Sequence, residues 1–150
     1  MSGGAMQFCP GIVIWERRPR WEAEFKRRLA HEDVLIRVCR VAADVERTCA
    51  ALPGSVLLID LVVGELDSLR LLAASSLWLP APLPVIVSPP DLAELEWAAR
   101  ELGALEFQVE PVNASRLVAL CAAQLSPRRS RRPSAPPPVT ELREQRDEPE

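Results

Sequence analysis

The chain contains no tyrosine, one histidine and, among its 18 basic residues, one lysine, Lys26. His31 stands in the charged stretch Ala30-His31-Glu32-Asp33, which reads as a surface loop. A histidine-based catalytic triad therefore has one weak candidate, and hydrolase chemistry of that kind is not expected. The four cysteines, Cys9, Cys39, Cys49 and Cys121, form no C-x-x-C pair and have no companion histidines, so zinc has no ligand set. They are expected to stay reduced and mostly buried, as small hydrophobes of a cytoplasmic protein. No apolar run approaches the roughly 18 residues needed to cross a bilayer. Residues 1–8 lack the basic start and long apolar stretch of a secretory signal. The formal net charge is −3, which does not suit a chain built to coat nucleic acid.

What remains is 150 residues that are 48% hydrophobic and 26% charged, enough for one domain with a real core and an appendage. The composition breaks near Leu125. Residues 126–150 hold six of the fifteen prolines and only two large aliphatic side chains, Val139 and Leu142. Such a stretch buries too little apolar surface to offset its ordering entropy, so disorder is expected there, with a short polyproline II segment at Pro136, Pro137 and Pro138. Its charges run in blocks: Arg128, Arg129, Arg131 and Arg132 come first, and Glu141, Glu144, Asp147, Glu148 and Glu150 follow. The arginine block is a weak signal for nucleic acid or anionic lipid and reads as a solvated tail or a docking segment. The expected organisation is an extension over 1–10, a folded body over 11–125 and the tail over 126–150. The tail holds six basic and five acidic residues of the chain's 18 and 21, which leaves the body 12 and 16, a net of −4.

Within the body, strand-like and helix-like segments alternate. The continuous apolar run Gly11-Ile12-Val13-Ile14-Trp15 suits a strand covered on both faces. Pro19 then falls in the first turn of a helix running to about Leu29, with Trp21, Phe25 and Leu29 on one face. A strand over 34–39 and a helix over 42–52 follow. The strand over 55–60 is the most hydrophobic and so the central one. After a helix over 66–76, Pro80, Pro82 and Pro84 lead stiffly into a strand over 83–88. Asp91 and Glu94 read as a capping box opening a helix that ends at Gly103. A fifth strand covers 105–109, and Asn113 caps a last helix that buries Leu117, Val118, Leu120 and Cys121. Five strands each followed by a helix predict a three-layer α/β fold with a parallel sheet.

In such sheets the working site lies at the carboxyl ends of the strands. There the text becomes specific. Ile12-Val13-Ile14-Trp15-Glu16-Arg17-Arg18-Pro19 resembles the first strand of response-regulator receiver domains, which ends in an acidic pair. Leu57-Leu58-Ile59-Asp60 resembles their phospho-acceptor strand, and Leu61 to Leu69 matches the acceptor loop without a gap, with Gly64 for the common proline and Asp67-Ser68 for Asp-Gly. Val85-Ile86-Val87-Ser88 resembles the strand bearing their Ser/Thr. Gly103-Ala104-Leu105-Glu106-Phe107-Gln108-Val109-Glu110-Pro111 follows their Gly-Ala…aromatic…Lys-Pro text, with Glu110 in the lysine position. The resemblance runs from about Gly11 to Leu125. It implies a (βα)5 flavodoxin-like sheet of strand order 2-1-3-4-5, with Asp60 as candidate phospho-acceptor and Glu16, Arg17, Ser88 and Glu110 around it. It also implies an aromatic switch at Phe107 and a contact surface that includes Trp97.

The departures carry as much weight as the matches. A working receiver resembles a two-carboxylate magnesium site beside the acceptor, with a lysine on the phosphoryl oxygens. Here Arg17 replaces one carboxylate, and Glu110 reverses the charge of the lysine. Two negative charges about 4 Å apart repel by about 4 kcal/mol at an effective dielectric of 20, which opposes phosphorylation of Asp60. Arg17 is expected to reach Asp60 and Glu110, its planar fork standing in for metal and lysine. Asp60 also has a plainer reading, as a strand-end carboxylate that only accepts backbone or arginine hydrogen bonds. The expectation is a degenerate receiver-like signalling module, not an enzyme. It would be cytoplasmic, need no cofactor and act by contact with a signalling protein or a second copy, without membrane or nucleic acid. The alternative is an active phospho-acceptor on Asp60, with magnesium held by Glu16 and Asp60. Trp78, in Ser76-Leu77-Trp78-Leu79-Pro80, reads equally as a partner anchor or as cover for the helix–sheet seam.

Overall fold

The computed structural model describes residues 10–125. The expectations for residues 1–9, including Cys9, and for the tail over 126–150 lie outside the described residues. Five strands, β1 (Gly11–Trp15), β2 (Leu35–Cys39), β3 (Val56–Asp60), β4 (Leu83–Ser88) and β5 (Glu106–Val109), alternate with five helices. The helices are α1 (Trp21–Arg28), α2 (Ala42–Ala51), α3 (Glu65–Ser75), α4 (Glu96–Glu101) and α5 (Ala114–Leu125). All strand pairs are parallel, in the order β2-β1-β3-β4-β5. This is the three-layer flavodoxin-like arrangement, with the hydrophobic β3 at its centre.

Alternation along the strands builds two cores, because successive side chains leave a strand on opposite faces. Val13, Trp15, Leu57, Ile59 and Ile86 meet Val45 and Cys49 of α2, Leu71 and Leu72 of α3 and Ala99 of α4. Ile12, Ile14, Leu58, Val85 and Val87 meet Trp21 and Phe25 of α1 and Leu117, Val118 and Cys121 of α5. Gly11 lets β1 start close to the end of α2: a Cβ there would lie 2.8 Å from a Leu52 methyl. Among the described residues no helix is long and apolar enough to cross a membrane. Cys39, Cys49 and Cys121 are free and buried. Burial pushes all three thiols up, Cys49 to about 11 and Cys121 to about 12, so they stay protonated near neutral pH.

Two helix starts differ from expectation. α1 begins at Trp21, so Pro19 lies ahead of the first turn expected to hold it, because the Glu16 carboxylate gathers the amides of Arg20, Trp21 and Glu22 and so sets the helix origin. From there its charges suit the helix dipole, with Glu22 and Glu24 in the first turn and Lys26, Arg27 and Arg28 in the last. The capping box at Asp91 is not formed: residues Pro90–Leu95 make a 3-10 helix with no side-chain cap, and α4 starts only at Glu96. Consecutive Pro89 and Pro90 remove two amides from that turn, so an Asp91 cap is not what opens it. Asn113 does cap α5, its Oδ1 accepting the Arg116 N–H at 3.1 Å.

Candidate functional site

The carboxyl ends of β1, β3, β4 and β5 bring Glu16, Asp60, Ser88 and Glu110 to one edge of the sheet. Glu16 follows the last residue of β1 and is buried. Its Oε2 accepts the Trp21 N–H at 2.8 Å and the Arg20 N–H at 3.2 Å, while Oε1 accepts the Glu22 N–H at 3.3 Å. Arg40, from the end of β2, places Nη1 3.2 Å from the same Oε1 and Nη2 2.9 Å from Glu22. Glu16 thus serves the helix N-terminus and one guanidinium, an assignment that a carboxylate five residues ahead of a helix start can signal in a sequence.

Asp60 ends β3 and is 4% exposed. Its Oδ1 accepts the Val62 N–H at 3.1 Å, capping the 3-10 turn Leu61–Val63, and Oδ2 accepts the Trp21 indole Nε1–H at 3.3 Å. Gly64 leaves that turn at a φ of 134°, a conformation that a Cβ would strain. Arg20 supplies the cation. Its Nη1 lies 3.8 Å from Asp60 Oδ2 and forms an ion pair with Glu110 Oε1, while the guanidinium covers the Trp21 ring at 4.5 Å from its centroid. Burial pushes the Asp60 carboxyl above its ordinary 3.8 and Glu110 adds to this; the Val62 amide, Arg20 and Trp21 oppose it.

Arg17 does not make the bridge expected of it. Its Nη2 donates to the Val63 carbonyl at 2.9 Å, on the far side of the acceptor loop, and the fork between Asp60 and Glu110 belongs to Arg20. The reason is direction: residues of β1 alternate between the sheet faces, and Arg17 continues the side of Val13 and Trp15, towards α2 and α3. Arg20 stands at the start of α1, on the side where Trp21 packs. Nothing in the Arg17-Arg18-Pro19-Arg20 text ranks the third arginine above the first.

Ser88 is fully buried and its hydroxyl donates to the Pro89 carbonyl at 2.8 Å; among the described residues no hydrogen bond joins it to Asp60. Magnesium does not fit these residues. Both Glu16 oxygens already receive protein donors, both Asp60 oxygens do the same, and a cation from the chain occupies the space between Asp60 and Glu110. Among the described residues no group of three or more His, Cys, Asp or Glu side chains could hold a metal ion. Phe107 is packed on β5 within the α2–α4 core, Trp97 is 72% exposed on α4, and Trp78 is half-buried against that core between exposed Leu77 and Leu79. His31 is exposed in the turn between α1 and β2.

No family model matches the chain, and no curated protein matches it. Solved structures do. A signal receiver domain from Vibrio parahaemolyticus is 17% identical with a TM-score of 0.69, over 81% of this chain and 93% of that one. A response regulator receiver domain protein from Clostridium thermocellum is 15% identical with a TM-score of 0.67, over 81% and 98%. The receiver domain of the TMAO respiratory system response regulator TorR is 19% identical with a TM-score of 0.66, over 77% and 95%. The fold is that of response-regulator receiver domains.

Proposed function

We propose that this receiver-fold chain is a degenerate signalling module that acts through protein contacts, independently of phosphorylation. The observation that carries this is the Arg20 guanidinium between Asp60 and Glu110, with the Trp21 indole N–H on the same Asp60 oxygen, Oδ2. A phosphoryl group arriving at Asp60 would have to displace the indole and would meet Glu110 where a receiver offers a lysine. Repulsion between such charges is strong in a partly buried site. On this reading Glu16 is a helix cap, Asp60 a structural carboxylate, and Phe107 and Trp97 the switch and contact positions. The module is not an enzyme and requires no cofactor. It works in the cytoplasm on a signalling protein or on a second copy of itself.

Beryllofluoride with magnesium is the direct test, because a competent receiver binds that phosphoryl mimic. The Trp21 indole resonance reports on Asp60 through their shared hydrogen bond. The expected outcome is that this resonance stays in place at millimolar magnesium and beryllofluoride. A saturable, magnesium-dependent shift would establish the alternative, a phospho-acceptor on Asp60.

A further inference from the structure

Residues 91–110 hold six acidic side chains and a single arginine in a body whose net charge is only −4. That arginine, Arg100, is already held by Glu96 at 3.3 Å and Glu106 at 4.0 Å. Asp91, Glu94 and Glu101 are exposed and have no cation partner among the described residues. Amid these carboxylates lies an unpartnered apolar face. Trp97 is 72% exposed, and Leu105 and Val109 are 41% and 39% exposed on the neighbouring β5 side. Glu101 follows Trp97 by four residues on α4, so a carboxylate and an open indole ring share one helix face.

A face of this kind fits guanidinium groups, which pair with carboxylates through their planar fork and stack on indole rings. The chain uses the same chemistry internally, where Arg20 covers Trp21 beside Asp60. A matching segment also exists within the sequence: Arg128, Arg129, Arg131 and Arg132 follow the end of α5 at Leu125. Each helix after a strand runs back along it, so the ends of α4 and α5 and the start of β5 all lie at the amino end of the sheet. The three to seven residues past Leu125 span about 10 to 25 Å. α4 packs on the sheet face opposite α5, so reaching Trp97 means rounding the β5 edge, about two helix diameters or 20 to 24 Å, which the later arginines of the block can span.

We infer that the arginine block at 128–132 docks on its own chain's Trp97 face and covers it. The inference rests on Trp97 being a contact residue, and it makes the tail a competitor for any external partner of that face. Tethering favours the chain's own segment, since a short linker gives it an effective concentration on the order of millimolar. The contact is electrostatic and screened by salt.

The test is the indole N–H spectrum of the full chain, in which Trp97→Phe assigns one of four tryptophan resonances. Arg128, Arg129, Arg131 and Arg132 are replaced together by serine. The Trp97 indole and the Glu101 amide should move, the buried Trp15 and Trp21 indoles should stay, and high salt should move the wild-type peaks the same way. These shifts should not change on dilution. If the Trp97 resonance is the same in the fourfold variant and the wild type, the docking does not occur. If the shifts fade on dilution while the sedimenting mass falls, the segment sits on a second copy and the intramolecular inference is wrong. The Asp60 pocket is untouched throughout, so failure here is distinct from failure of the beryllofluoride test.

Discussion

The strand-end pocket and the α4–β5 face are built from the same three groups, a tryptophan, carboxylates and arginine, and they treat them in opposite ways. In the pocket Trp21 is 3% exposed, its N–H is spent on Asp60 and its ring is covered by Arg20. On the face Trp97 is 72% exposed and three carboxylates near it lack a cation among the described residues. The difference follows from solvent. A buried carboxylate or indole without a partner costs its whole desolvation energy, so the pocket sets protein donors on Glu16 and Asp60 and an arginine on Glu110. Exposed carboxylates are already hydrated, and the face keeps its capacity for a partner at no such cost. On the proposed reading, the place where a receiver does its chemistry is filled by the protein itself, and the capacity to bind lies outside.

The sharpest way to break this comparison is to empty the pocket. Glu16→Ala removes the acceptor for three backbone amides and one Arg40 contact. Buried donors left unsatisfied cost about 1 to 3 kcal/mol each, and partial hydration should bring the total to about 3 kcal/mol in urea unfolding. Glu16→Gln keeps one acceptor oxygen and should lose about half as much. A loss below about 1 kcal/mol for Glu16→Ala would mean that the α1 origin does not depend on this carboxylate.

The next effect separates the arginines. Arg20→Ala leaves Asp60 and Glu110 facing one another without their cation, and should cost about 1 to 2 kcal/mol near neutral pH, since Arg20 is itself partly exposed. The loss should shrink in acid, as protonation removes the repulsion. Arg17→Ala gives up only a hydrogen bond to the Val63 carbonyl and should cost about 0.5 to 1 kcal/mol, with little dependence on pH. The opposite ranking, measured across pH 4 to 8, would put the cation of the pocket at Arg17.

Asp60→Asn sharpens the comparison through pH alone. Burial raises the folded carboxyl above its ordinary 3.8, so the folded chain holds this proton at a pH where the unfolded chain has released it. Stability therefore falls as pH rises from about 3.8 through the folded value, and the loss is complete above it. The asparagine variant lacks this slope and should gain on the wild type in that window, as followed by thermal unfolding at stepped pH. A wild type that instead gains on the asparagine variant as pH rises through this window would mean that Val62 and Arg20 outweigh burial at Asp60.

How far the sequence reached can be seen at these same residues. Continuous apolar runs such as Val56-Leu57-Leu58-Ile59 announce the inner strands covered on both faces, whereas the edge strands β2 and β5 carry polar residues such as Arg37 and Gln108 within them. Asp60 and Glu110 reach one edge because both follow strands of a parallel sheet. What composition and spacing do not carry is side-chain direction. Arg17, Arg18 and Arg20 are equivalent as text, and only the pleat of β1 and the start of α1 send one to Val63 and another to Asp60. Glu16 matches an acidic-pair position, yet the amides of an adjacent helix take its oxygens first. Trp21 fits the hydrophobic face of α1 at four-residue spacing, and that spacing says nothing of where its indole N–H points.

The smallest expected effect concerns the outer face and its tail. Removing residues 126–150 should change the melting temperature by no more than about 1 to 2 °C. Only Val139 and Leu142 are large aliphatic side chains in that stretch, so it can add little to either core. Arginine contacts on an exposed carboxylate face contribute about 0 to 1 kcal/mol each way of counting, because water already serves both charges and salt screens them. In a domain of this size 1 kcal/mol moves the melting temperature by about 4 °C or somewhat more, and a few tenths therefore give the shift expected. Docking on Trp97 is thus compatible with near-silence in a melting curve while remaining visible in the indole spectrum. Removal of the tail should also make Trp97 more accessible to a neutral fluorescence quencher, with the buried Trp15 and Trp21 unaffected. A fall of many degrees would show that Val139 and Leu142 pack against the body, and the division between a self-satisfied core and an open outer face would then have to be redrawn.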